Sequence, residues 1–357
     1  MLRKPFRSIA IACLGAGGVA HAEQADPLSV AAAEIDPSAA NEQQPGFQTD
    51  GTRFPRTPWI DRLQRGFYET VYLSAMRIDG MFGPLEDERI YERSSGSIAP
   101  ALLWDEHDGF QPKMRFQVNL PLPRLDERFS AFVGRVDPDE YVSERTPQSG
   151  ALPRQLGIAR EDQTLLGIGY RDRRIKRGWH FDADAGVRVR FPLDPFVKAG
   201  YRYQSGRIDG LRLTLKETAF WQNSEELGFT SRIDLDRFIG ERTFLRWTGS
   251  GTVSQESSGV RGYTEVFLLR SLADRRALAW SVDLYGETDA PVELQEFGTK
   301  VAFRQSIARQ WLVLELRTGV FWPKDMPGEP RAPSWGVGVG LEMFFGTDEF
   351  LARPITF

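Results

Sequence analysis

Cysteine is almost missing from this chain: Cys13 is the single one in 357 residues. One cysteine excludes an intrachain disulfide framework and a thiolate metal site. Histidine is nearly as scarce, with only His21, His107 and His180. No stretch of about 18 apolar residues exists, which excludes a transmembrane helix. An excess of basic residues is lacking too: 45 Lys and Arg stand against 49 Asp and Glu. That balance argues against a nucleic-acid partner, which would call for a basic patch.

What is present begins at the N-terminus. Arg3, Lys4 and Arg7 form a positive region, Ser8 to Val19 an apolar one, and Ala20-His21-Ala22 a small-x-small site. This is a secretory signal peptide, residues 1–22, cleaved after Ala22. Its apolar region falls short of the roughly 20 residues a membrane span needs. A lipoprotein reading would acylate Cys13, but Ala10-Ile11-Ala12 is a poor lipid box and too little apolar sequence precedes it. Cleavage removes Cys13 and three cations, leaving 42 cations against 49 acids, a net of −7 with histidine neutral. An exported chain without an apolar helix is either soluble or a barrel, whose strands average to polar because only alternate residues are apolar.

Residues 23–56, rich in Ala, Gln, Pro, Asp and Gly, read as a disordered periplasmic leader. Thr57-Pro58 then supplies an N-cap and a proline at the first helical position. Trp59, Leu63, Phe67, Val71, Ala75 and Ile78 follow at spacings of three and four, marking an amphipathic periplasmic helix within 57–83 that ends near Asp79-Gly80. Three placements suit it: under or into a barrel mouth, against a periplasmic partner, or on a membrane surface.

From about residue 95 the period switches to two. In Asp182 to Phe191 one face carries Ala183, Ala185, Val187, Val189 and Phe191, while the other carries Asp182, Asp184, Gly186, Arg188 and Arg190. A Pro-Leu-Asp-Pro turn follows, then Val197, Ala199, Tyr201 and Tyr203 alternate with Lys198, Gly200, Arg202 and Gln204. The pattern recurs through Trp335, Val337, Val339, Leu341, Met343 and Phe345. These segments, about 10–14 residues long, match the length of a tilted membrane strand better than that of a sandwich strand. Trp179, Trp221, Trp247, Tyr263, Trp311, Trp322 and Trp335 sit where interfacial girdles would lie. The expected fold is all-β: an antiparallel up-and-down transmembrane barrel of about twelve to fourteen strands over 95–346, with a tail at 347–357. Whether 95–136 adds two strands or merely precedes the barrel stays open.

Gly340, Met343 and Phe345 have the glycine, hydrophobe and aromatic spacing of the C-terminal signal read by the barrel-assembly machinery. The region from about 95 to 346 resembles a proteobacterial outer-membrane β-barrel of an uncharacterised family. The chain departs from the pattern by running on to Phe357. The resemblance implies outer-membrane lipid, lipopolysaccharide and the assembly machinery as partners; the strand count, below that usual for trimeric porins, favours a monomer. If the last strand ends in the periplasm, Ser271 to Arg276 and Ser306 to Gln310 are periplasmic turns. Gln255 to Gly259, Thr288 to Glu293, Lys324 to Ser334 and the long connection Asp137 to Asp162 are then extracellular.

Residues opposite the lipid-facing ones line the lumen. Arg188, Arg190, Lys198, Arg202, Arg212, Lys216, Arg232 and Arg246 make a basic wall. Glu265, Asp283, Glu287, Glu296, Glu315 and Glu342 make an acidic one, relieved by Lys300, Arg304 and Arg317. In a narrow barrel the walls meet as an ion-pair network; in a wide one water separates them. The glycines Gly336, Gly338 and Gly340 face inward and leave room for a plug or a bulky neighbour. No metal or cofactor set and no catalytic motif stands out. Asp105, His107 and Asp108 read as a solvated loop, and His180 as structural. A channel or scaffold is the expected function; the alternatives are a rim-located hydrolase acting on lipid or envelope polymer, or an envelope tether using the N-terminal helix.

Overall fold

The structure, a computed structural model, describes residues 58–79, 94–147, 151–152, 162–172, 178–205, 210–240, 242–273 and 275–346. The expected signal peptide, the leader, residues 80–83 and the tail 347–357 lie outside these residues. Strands β1 (Ser95–Asp105), β2 (Gly109–Pro121) and β3 (Phe129–Val136) fill the stretch that periodicity left open. A four-residue helix α2 (Pro138–Tyr141) follows, after α1 (Pro58–Asp79) at the N-terminus. Then come β4 (Gln163–Arg171), β5 (Trp179–Arg188), β6 (Asp194–Gln204), β7 (Leu211–Gln222), β8 (Glu226–Ile239) and β9 (Thr243–Ser254). The barrel ends with β10 (Arg261–Ala273), β11 (Arg276–Glu287), β12 (Leu294–Ser306), β13 (Leu312–Pro323) and β14 (Ser334–Gly346). Every strand pairs antiparallel with its chain neighbours, and β14 closes on β1 with Ser95 opposite Gly346. Closure removes the unpaired edges that an open sheet would present.

The period of two becomes an inside and an outside. On β6, Phe196 and Lys198 point inward and are buried, whereas Val197 points outward and is exposed. On β11, Ala277, Ala279, Ser281 and Asp283 are buried, while Leu278, Trp280 and Leu284 are exposed. The outward face is an apolar belt that also includes Leu102, Leu166, Ile168, Val266, Val301, Val337 and Val339. Trp179, Trp247 and Trp280 fall toward one rim of it, and Trp104, Trp221 and Trp335 toward the other. Two of the expected girdle aromatics are elsewhere. Tyr263 points inward and is buried, and Trp311 is buried beside Leu312 and Met343. Glu217 interrupts the belt on β7, where its carboxylate accepts the Ser231 hydroxyl at 2.9 Å.

At one end lie the β2–β3, β4–β5, β6–β7, β8–β9, β10–β11 and β12–β13 turns; the other end carries residues 137–162, 255–260, 288–293 and 324–333. Helix α1 packs at the turn end, against the outside of the barrel where β14 meets β1. Val71 packs with Leu120 and Phe345, and Ile60 with Trp311, Leu312 and Met343. Phe67 stacks on Phe345 with centroids 6.5 Å apart. Arg309 of the β12–β13 turn grips Asp61 with two hydrogen bonds, of 2.8 and 2.6 Å. The helix therefore lies neither under nor in the mouth. The outer wall there is itself apolar, so a partly apolar helix buries against it. Within the expected stripe, Trp59 and Leu63 stay exposed, and the side chains of Ala75 and Ile78 lie outside the described residues.

Candidate functional site

The connection between β3 and β4 does not stand outside the barrel as an extracellular loop would. It turns inward and touches the lumen wall from one side to the other. Its start is packed by apolar side chains: Tyr141 and Val142 bury against Phe132, Leu165, Phe196 and Phe220, all on inward positions. The Tyr141 hydroxyl donates to Asp184 Oδ2 on β5 at 3.1 Å. Burial, reinforced by Asp184, pushes that phenol well above its ordinary range, so it keeps its proton. Lys198 of β6 donates to the Tyr141 carbonyl at 2.7 Å and lies 4.1 Å from the centre of its ring.

Glu144 is the next anchor. Its carboxylate takes Lys198 Nζ at 2.9 Å, Lys216 Nζ of β7 at 2.6 Å and the Thr218 hydroxyl at 2.9 Å. Arg232 of β8 donates to its backbone carbonyl at 3.2 Å. Burial disfavours the charge, yet the two lysines outweigh it and hold the carboxyl down at about 2. The backbone at Glu144 has φ 53°, a left-handed conformation that costs a non-glycine residue roughly 1–3 kcal/mol and persists where surroundings over-determine it.

One residue on, the chain has reached the far wall. The Ser250 hydroxyl of β9 donates to the Arg145 carbonyl at 2.8 Å, and the guanidinium donates to Tyr285 Oη of β11 at 3.1 Å. Ala151 and Leu152 then lie against β14, where glycine is what makes room. A Cβ on Gly340 would stand 2.6 Å from Ala151 Cβ, and one on Gly338 2.9 Å from Leu152 Cδ2. Arg115 on β2 gathers the two ends of the loop, bonding Glu140 at 2.8 Å and lying 3.4 Å from Asp162. These contacts run in strand order almost around the barrel.

The residues expected on the two walls differ sharply in how they meet water. On the acidic side, Lys300 bonds Asp283 at 2.7 Å, Arg304 bonds Glu342, and Arg317 bonds Glu315, which also faces Arg304 at 3.8 Å. Glu265, Glu296, Glu315 and Glu342 are all buried. Glu287 lies toward the loop end, 3.6 Å from Arg261. The basic side is interleaved with carboxylates: Asp182, half-buried opposite Arg171 and Gly200, and four that are ion-paired. Asp184 joins Lys198 at 3.1 Å, and Asp194 joins Arg188. Asp234 joins Arg232 at 3.1 Å, and Asp236 takes Arg246 in a fork of 2.6 and 2.9 Å. Arg190 sits in the turn after β5, 3.1 Å from Asp194. Arg202 and Arg212 point inward with no ion pair to another described residue, and Arg202 is exposed.

Other expected sites are placed as follows. Met343 and Phe345 face outward under α1, and Gly340 faces inward against Ala151. Asp105 accepts the Asp108 backbone N–H at 2.6 Å, closing the β1–β2 turn. His107 Nε2 lies 3.2 Å from Asp325 at the loop end, with no hydroxyl nucleophile bonded to either among the described residues. No group of three metal-ligating side chains is found among the described residues. Arg115, Tyr141, Glu144, Arg145 and Tyr285 were missed by sequence reasoning. Their signal was the long connection itself, since loops beyond about 12–15 residues in compact folds are usually functional.

Fold and site together define a class: a closed, fourteen-stranded antiparallel barrel whose interior is crossed by one of its own loops. No family model and no curated protein matches the chain. Solved structures with similar folds include the outer-membrane channel DcaP of Acinetobacter baumannii, 8% identical, covering 71% of this chain and 96% of that one, TM-score 0.43. OprB of Pseudomonas putida is 10% identical, with coverage of 71% and 94% and TM-score 0.43. OccK11 of Pseudomonas aeruginosa is 10% identical, with coverage of 71% and 96% and TM-score 0.42.

Proposed function

We propose that this chain is an outer-membrane channel constricted by its β3–β4 loop. Membrane placement is supported by the apolar belt between aromatic rims, which is the outer surface a lipid-embedded barrel needs. The belt also leaves few polar groups unmet: the Trp247 indole donates to Thr264 at 3.1 Å and the Trp280 indole to Thr299 at 2.9 Å. Each threonine hydroxyl in turn donates to a strand carbonyl, as hydrocarbon surroundings demand. The turn end is then periplasmic and the loop end extracellular.

The observation that carries the channel reading is Glu144 held between Lys198 and Lys216, in a loop fastened across the lumen, while Arg202, opposite Lys216 in the strand register, stays open to water. A packed structural core would leave no such water-lined charge. In planar bilayers the purified chain is expected to conduct, and replacing residues 142–160 with a short Gly-Ser linker to enlarge the conductance. That variant keeps Glu140 and Asp162 on Arg115. A loop-shortened barrel that is folded, shown by heat-modifiable migration, yet electrically silent would sink the reading.

A further inference from the structure

We propose that the lumen is an anion path, with Arg202 and Arg212 as the groups that meet the passing anion. This rests on the channel reading above and names its solute class. The strand register places His180 opposite Arg202, Arg202 opposite Lys216, and Lys216 opposite Arg232. Three cations and a histidine thus form one cross-strand row over β5 to β8. Like charges directly opposite one another destabilise a sheet, so folding alone does not favour such a row.

One nearby carboxylate, Asp182, is half-buried on the inward face, but the register sets it opposite Arg171; the others do not reach the water surface. Asp234 and Asp236 have side chains only 6% exposed, whereas the Arg246 guanidinium that covers Asp236 is 32% exposed. Arg232, at 17%, likewise covers Asp234, whose other oxygen takes the Thr248 hydroxyl at 2.8 Å. The carboxylates lie behind and the guanidiniums in front. Glu144 neutralises Lys216 from the loop and offers its backbone carbonyl to Arg232, but it has no described contact with Arg202 or with Arg212 nearer the turn end. Arg202 and Arg212, on that side, carry charge with no described partner.

Across the lumen the acids are sealed. Glu315 is 1% exposed and bonded by Arg317, and Asp283 is 5% exposed and bonded by Lys300. A solute between the walls therefore meets cations on one side and neutral, paired surface on the other. A cleft of one sign, with low-dielectric walls, concentrates ions of the opposite sign. Two guanidiniums without an ion-pair partner among the described residues suit planar oxoanions, which they can bind through two parallel N–H donors.

The test is ion selectivity of the full-length chain in planar bilayers, read as the reversal potential across a potassium chloride gradient. Chloride is expected to permeate better than potassium. The double variant Arg202→Glu with Arg212→Glu should carry the permeability ratio through unity to cation preference, and Arg202→Gln with Arg212→Gln should bring it partway. Both variants are expected to fold, since these side chains make no described ion pair; heat-modifiable migration checks it. A conducting wild type that prefers potassium, or a chloride preference that folded charge variants leave unchanged, overturns the anion path and leaves the channel standing. A folded barrel that never conducts, even with its loop shortened, overturns both.

Discussion

Replacing Glu144 by Gln removes one negative charge and little else. The glutamine can still accept the Thr218 hydroxyl, but Lys198 and Lys216 lose their shared counter-ion. The carboxyl sits at about 2 against an ordinary 4.5, which corresponds to about 3 kcal/mol of preference for the charged form in the closed loop. Its side chain is only 12% exposed, so solvent screening takes little from that figure. Removing one partner of a buried pair costs about 3–5 kcal/mol, which agrees. The loop should therefore open on the order of a hundredfold more often in the variant. Hydrogen exchange of the backbone amides of residues 140–146 reads this directly, and single-channel records should show more frequent transitions. The pH dependence is a second check. A depressed carboxyl contributes fully above its ordinary value and loses that contribution as pH falls through the depressed one. Wild-type protection factors, taken relative to the intrinsic exchange rate at each pH, should fall between about pH 4.5 and 2, and those of the variant should not. Equal exchange in the two proteins at neutral pH would refute the latch.

Arg115→Ala strands Glu140 and Asp162 inside the barrel and should cost about 3–5 kcal/mol, loosening both ends of the loop; limited proteolysis within residues 148–161 measures it. Gly340→Val puts a side chain where Ala151 already lies, an overpacking of about 1–3 kcal/mol, and should release the loop without lowering the thermal transition of the barrel. Phe345→Ala empties a buried outward site under α1 and should cost about 3–5 kcal/mol, seen as a lower unfolding temperature of the folded band on gels.

The strand pattern was legible because period two is a one-dimensional signal that any lipid-facing barrel must carry. β1 begins at Ser95 and β14 ends at Gly346, where the alternation starts and stops. The loop was not legible for the opposite reason. Residues 138–147 mix Pro, Asp, Glu, Tyr, Val, Ser, Arg and Thr without a period, and their partners lie on β5, β6, β7, β8, β9 and β11. Only closure of the barrel brings those strands within reach. Helix α1 was half legible. Its length follows from Pro58 and the apolar spacing, but the side that buries depends on an outer wall that a local pattern does not contain. Ile60 and Val71 meet the wall, while Trp59 and Leu63 turn away.

Charge is the deeper case, because counting it and locating it give opposite answers. By count the chain is acidic, with 45 Lys and Arg against 49 Asp and Glu, a net of −4. An acidic total would suggest a cation path. Geometry sorts the charges by depth instead. Short Asp side chains stay near the strand backbone, as Asp234 and Asp236 do, and long Arg side chains arch over them toward water. Glutamates on β13 and β14 lose even that access, because Arg304 and Arg317 lie among them. Side-chain length thus converts an acidic composition into a lumen surface of the other sign. Net charge bears on solubility, but selectivity belongs to the groups that water can reach.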